Sequence, residues 1–191
     1  LADYFLVVGL GNPSDRYEET RHNAGFWFVD KLAADAGGVF CTENRFSGLV
    51  ARVACADRTL LLLKPLTYMN RSGHSVGAIA RYFKIPAANI LIVHDDLDFE
   101  PGTVRLKIGG GHGGHNGIRD VLAGLGTRDF IRLRLGIGHP VNRDRTLDYV
   151  LGRPSRKARE AIDAAIGSAT DLMPEITSGR VAEAMNGLHT R

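Results

Sequence analysis

Short apolar runs and helical-period stripes alternate along the chain. "YFLVVGL" (residues 4–10) is a continuous apolar run ending in glycine, the pattern of a strand buried on both faces. "AGFWFVDKLAADAG" (24–37) carries its large apolar residues at helical spacing and closes on a glycine pair, which predicts a helix. "FSGLVARVACADRTLLLLKP" (46–65) holds two strand-like runs about "ADR" and predicts an antiparallel hairpin. "SGHSVGAIARYFKI" (72–85) predicts a second helix, and "NILIVHDDLD" (89–98) a buried strand running straight into a cluster of acids. "TVRLKI" (103–108) and "FIRLRLGIG" (130–138) alternate as strands, with a helix closed by glycine, "HNGIRDVLAGLG" (115–126), between them. Beyond Ser155 the chain reads as mainly helical, with Pro174 marking a break and a last helix near 178–189. Strands and helices interleave, with no credible linker and no repeat. The pattern predicts a single α/β domain over residues 1–191, a mixed twisted sheet flanked by helices on both faces.

Composition narrows the class. A chain of 191 residues, 44% apolar and 24% charged, suits one soluble globular domain. Cys41 and Cys55 lack CxxC spacing, so neither a disulfide framework nor a thiolate zinc site is expected. "LADYFLVVGLGNP" has an acid at position 3 and only a short apolar run, neither a signal peptide nor a membrane span. A cytoplasmic protein without a membrane partner is expected. The net charge of +3 conceals an asymmetry: residues 103–159 carry twelve Lys or Arg against four acids, +8, and the remainder twelve against seventeen, −5. On charge alone this is either a solvated basic face or an electrostatic footprint for nucleic acid.

The glycine run "GGGHGGHNG" (109–117) decides between chemistries. Gly109, Gly111 and Gly114 fit GxGxxG, but the next strand ends in glycine and histidine, not in the acid a dinucleotide ribose requires. The first loop, "GLGNPS", has Ser14 at the third glycine position and Pro13 at the helix start, and no GK[ST] is present. No cofactor is expected. His112 and His115, with His94, Asp95, Asp96 and Asp98 near in sequence, raise a metal site. Without HExxH, and on a base of glycines, no metal is expected either.

The remaining polar residues are of one kind. Asn12 follows the first strand, "RHN" (21–23) lies in the next loop, "YMN" (68–70) precedes a helix, "HDD" (94–96) ends a buried strand, and "HN" (115–116) follows the glycine run. In open α/β sheets such loops converge beyond the carboxyl ends of the strands. Amides, a histidine and carboxylates gathered there form a hydrolytic site, with amides holding a peptide or water and a carboxylate fixing the histidine tautomer. With no GxSxG motif, attack falls to water rather than to a side-chain nucleophile. Lys107 and Arg134 add positive charge at the edge of the cleft. A non-catalytic RNA-binding module using the +8 segment, and an oxidoreductase using "GLGNPS", are the alternatives.

"VVGLGNP", "TRHNAG", "YMNRSG", "HDDLD", "GGGHGGHNG" and "RLRLGIGHP", in this order, resemble bacterial peptidyl-tRNA hydrolases from about residue 4 to the final "NGLHTR". The resemblance implies cleavage of the ester joining a peptide to the terminal ribose of tRNA, with peptidyl-tRNA as partner, no DNA, no cofactor and a monomeric enzyme. It implies His22 as the catalytic base, Asp95 as its partner, and Asn12, Asn70 and Asn116 as the amides that hold peptide and water. Tyr17, Tyr68, Met69 and His115 fall among the substrate-binding positions, and Lys107 and Arg134 correspond to a pair gripping the 5′ phosphate of the tRNA. The glycine run becomes a flexible wall that carries His115 and Asn116 into place. Ser14 stands where the family commonly has glycine, "HPVN" replaces a commoner "HPG", and Asp96 stands where Glu is frequent.

Overall fold

The computed structural model describes residues 3–189; Leu1, Ala2, Thr190 and Arg191, which the domain prediction included, lie outside the described residues. In chain order the strands are β1 (Tyr4–Gly9), β2 (Cys41–Glu43), β3 (Gly48–Cys55), β4 (Arg58–Pro65), β5 (Ile90–Asp96), β6 (Val104–Ile108) and β7 (Ile131–Gly136). The helices are α1 (Ala24–Asp35), α2 (Ser72–Tyr82), α3 (Asn116–Leu125), α4 (Thr146–Val150), α5 (Arg156–Thr170), α6 (Met173–Thr177) and α7 (Val181–His189). The strands form one mixed sheet in the order β2-β3-β4-β1-β5-β7-β6. β1 lies between β4 and β5, parallel to both, and β5 is parallel to β7. β3 and β6 run the other way.

The run at 4–10 sits at the sheet centre because it is apolar on both faces. Phe5 and Val7 pack with α1, α5, α6 and α7, while Leu6 and Val8 pack with α2 and α3. Helices therefore cover both faces, as the interleaved pattern predicts. Three elements escaped the pattern: the edge strand β2 and the short helices α4 and α6. Pro174 does not break a helix but lies in the first turn of α6, where the missing N–H costs nothing; the chain bends before it, at 171–172.

One contact fixes α1 on the sheet. A Cβ added at Gly25 would meet Val93 O at 2.4 Å and Leu10 N at 2.5 Å. Only glycine lets the helix backbone lie on the ends of β1 and β5. The turn before α1, residues 21–23, is thereby held at the carboxyl edge of the sheet.

Candidate active site

The two layers meet at Asp95. It lies near the end of β5, 2% exposed, and each face of the sheet sends it one imidazole. His22, in the turn leading into α1, brings Nδ1 to 2.8 and 3.0 Å from the two carboxylate oxygens. His115, at the N-cap of α3, brings Nε2 to 2.8 Å from Oδ1. Both tautomers follow from the neighbours. The N–H groups of Gly117 and Ile118 donate to His115 Nδ1 at 3.1 and 3.3 Å. Nδ1 is then the acceptor, and Nε2–H donates to Asp95. Asp95 likewise takes the Nδ1–H of His22, which leaves the lone pair on Nε2 of a ring that is 12% exposed.

Electrostatics agree with this arrangement. Burial alone pulls the His22 imidazolium down, but the charge of Asp95 and its hydrogen bond win, and the His22 pKa is raised from 6.5. Burial opposes ionisation of Asp95 too, yet the two histidines hold its carboxyl well below the usual carboxylate range. It is a fixed anion between two N–H donors.

The amides form a second group. Asn23, 1% exposed, receives the Asn12 N–H on Oδ1 at 2.8 Å and donates from Nδ2 to Asn12 O at 3.0 Å. The main chain of Asn12 is clamped on both sides. Its own Oδ1 takes the Met69 N–H at 2.8 Å, which turns its Nδ2 donors away from that contact. Met69 itself is buried with its side chain in the core beneath α2 and α3, so its main chain, not its side chain, belongs to the polar set. Tyr17 and Tyr68 meet edge to face, ring centroids 6.3 Å apart. Asn70 and Asn116 are exposed, in the turn before α2 and at the start of α3; Asn116 Oδ1 accepts from Arg119 at 2.9 Å. Ser14 adopts φ 89° and ψ 151°, a region that glycine favours and that costs another residue about 1–3 kcal/mol. The departure noted at "NPS" is a strained turn beside Asn12.

Lys107 and Arg134 do share one face. Lys107 lies opposite Arg132 and Arg105 opposite Arg134, and alternation sends all four away from the core-facing leucines of β6 and β7. Asp95 is level with Leu135 and Lys107 with Arg132, a separation of three rungs, or about 10 Å. Arg134 is not a free cation: its Nε–H donates to Asp96 at 2.8 Å, and its guanidinium lies 3.8 Å from Asp98. Asp96 thus serves as an ion-pair partner while its other oxygen accepts the Asp98 N–H at 2.9 Å.

Neither loop is built for a dinucleotide. α1 begins fifteen residues beyond Gly9, after two short turns, so no helix N-terminus opens from "GLGNPS". At α3, the ring of His115 already occupies the N–H groups of Gly117 and Ile118. His22, Asp95 and His115 place three potential ligand atoms within 4.8 Å of one another. The backbone N–H groups on His115 Nδ1 keep a proton on its Nε2, so the trio is linked by protons and presents no metal-ready lone pair there. Among the described residues no helix is long and apolar enough to cross a membrane.

The sequence does not mark Asn23 or Arg132 as functional, and His94 enters it only beside the candidate metal ligands. Each lies inside a quoted motif, "RHN", "HDD" or "RLR", but their partners lie in other elements.

A mixed α/β sheet whose carboxyl edge joins a carboxylate to two imidazoles, beside a clamp of amides, is the frame of a hydrolase. The family model for peptidyl-tRNA hydrolase matches residues 6–191. The peptidyl-tRNA hydrolase of Neisseria gonorrhoeae is 51% identical over 186 residues, covering 97% of this chain and 97% of that protein. That of Methylococcus capsulatus is 53% identical over 184 residues, covering 96% and 98%. A crystal structure of peptidyl-tRNA hydrolase from Acinetobacter baumannii matches with a TM-score of 0.94 at 44% identity, covering 98% of this chain and 95% of that one. The chain belongs to the peptidyl-tRNA hydrolase family, and it is an enzyme of the hydrolase class.

Proposed function

We propose that the protein hydrolyses the ester between the C-terminal carboxyl of a peptide and the terminal ribose of its tRNA, with His22 as general base. The observation that carries this is the double hydrogen bond to Asp95, which leaves His22 Nε2 as the lone pair on a partly exposed ring. Nε2 takes a proton from water as the oxygen attacks the ester carbonyl. The tetrahedral intermediate collapses, the C–O bond to ribose breaks, and the imidazolium returns the proton to the departing ribose oxygen. Asp95 holds the tautomer and stabilises the imidazolium. Asn12, Asn70 and Asn116 bind the peptide main chain, the water and the developing oxyanion, with Tyr17 and Tyr68 lining the approach. Residues 1–191 act as one catalytic domain and as a monomer, in the cytoplasm where tRNA is used, with no DNA or membrane partner.

The defining test is substrate class. With no added metal or nucleotide, N-blocked aminoacyl-tRNA should be cleaved and ordinary aminoacyl-tRNA spared. A neutral amide satisfies the Asn donors, whereas an ammonium would lose water with no carboxylate assigned to it. Comparable rates on the two would remove the amides from this role, and no cleavage of either would sink the reading altogether.

The cation face supplies tRNA binding. Among the described residues Lys107 forms no ion pair with an acid, unlike Arg134, so it should carry the larger share of a phosphate contact. Lys107→Ala should raise KM for full tRNA, leave kcat near wild type and flatten the slope of log affinity against log salt by roughly 0.7 to 0.9. A short ester substrate without the 5′ phosphate should be indifferent. Equal losses on both substrates with an unchanged slope would leave Lys107 on a merely solvated face.

A further inference from the structure

Arg132, on β7, is 4% exposed, and neither the chemistry nor the phosphate contact described above gives it a task. Its Nε and Nη1 donors are engaged within the protein. Nη1–H donates to Gly111 O at 2.8 Å and to Gly109 O at 3.4 Å, and Nε–H donates to His94 Nε2 at 3.3 Å. An arginine has only donors, so His94 Nε2 carries the lone pair and His94 Nδ1–H donates to Asp95 O at 2.8 Å. Burial, then the neighbouring His115 and Arg132, keep the His94 ring neutral by lowering its pKa well below 6.5.

The glycine run needs such an anchor. It leaves β6 at Ile108, level with Ile131, and must reach Asp95, level with Leu135, a climb of about 13 Å along the sheet. Gly109, Gly110, Gly113 and Gly114 all have positive φ, so side chains that would stiffen the path are excluded. A Cβ at Gly111, Gly113 or Gly114 would meet nothing within 4 Å, so at these positions packing does not hold the run. At its far end the run is fixed by His115 on Asp95; near its start the side chain that grips its carbonyls is Arg132.

We propose that Arg132, seated on His94, is a positioning residue that pins the start of the glycine run so that His115 meets Asp95 and Asn116 faces the substrate. The proposal rests on the roles given above to Asp95 and Asn116. Their failure shows separately, as retained activity in variants at those positions. A lysine keeps the charge at 132 but offers one nitrogen on a flexible stem, and it cannot reproduce the planar fork that spans His94 and the two carbonyls.

The test is Arg132→Lys in the full chain, assayed on N-blocked aminoacyl-tRNA and on a short N-blocked ester fragment lacking the 5′ phosphate. Both substrates should lose about tenfold to a hundredfold in kcat/KM. The acid limb of the rate profile should stay in place because the charge is kept, and amide exchange should accelerate within residues 109–114. Wild-type rates for R132K on the short substrate, or a loss confined to the full tRNA, would overturn the proposal and make Arg132 a charge or a phosphate contact. Should R132K fail to fold, nitrogen-15 ring shifts of His94 in the wild type decide: a neutral ring protonated on Nδ1 at pH 6 supports the latch, and an imidazolium or the opposite tautomer rejects it.

Discussion

Asp95→Asn should lower kcat on the order of 10⁴-fold with little change in KM, the size of a wrong-tautomer penalty in a serine protease triad. The reason is a count of donors. Asp95 accepts an N–H from each of two imidazoles, and an amide has only one oxygen for them. His115 must keep its Nε2–H because backbone N–H groups hold its Nδ1. The Asn oxygen therefore goes to His115, and its NH₂ faces His22 Nδ1. His22 then turns its lone pair inward and its proton outward, and the base is lost. The same change removes the charge that raises the His22 pKa. In the wild type the base is active only when neutral, so the acid limb of kcat/KM should fall above pH 6.5, and the His22 titration followed by NMR should move below 6.5 in D95N. The sign for stability is the reverse: the His22–Asp95 pairing contributes fully below about 6.5 and is lost as pH rises through the raised value. A wild-type limb at or below 6.5, or a D95N effect in KM alone, would make Asp95 a binding residue.

His22→Ala should lower kcat by about 10² or more while folding and tRNA binding persist. Folding survives because Asp95 keeps the His115 N–H at 2.8 Å, so the buried carboxylate is not orphaned. Binding survives because Lys107, level with Arg132, lies three rungs or about 10 Å along the sheet from the level of Asp95. Single-turnover rates and tRNA affinity, measured together, check this. Near-normal turnover would take the base away from His22, and His115 offers no substitute because its Nε2 is protonated.

Much of the fold was written locally. The doubly apolar run at 4–10 could only be a central strand, and the alternating runs at 103–108 and 130–138 had to place a polar face beside a buried one. Elements set by few residues stayed hidden: β2, α4 and α6 have three, five and five residues, too short for periodicity to declare itself. Pro174 was legible as punctuation, but whether it ends a helix or begins one depends on where the chain turns.

For the site, the sequence by itself determined the residue types and the strand ends that carry them, hence the chemistry of a base, a carboxylate and amides. The tertiary structure decided who bonds to whom. That His22 and His115 reach one carboxylate from opposite faces of the sheet depends on helix placement, set by contacts such as Gly25 on Val93 and Leu10. That Arg134 is paired with Asp96 while Arg132 holds the glycine run depends on the register of β5, β7 and β6. A hydrogen bond is directional and short, and its partners here lie 20 to 73 residues apart in the chain. No local pattern encodes that distance; the packing of the sheet and its helices does.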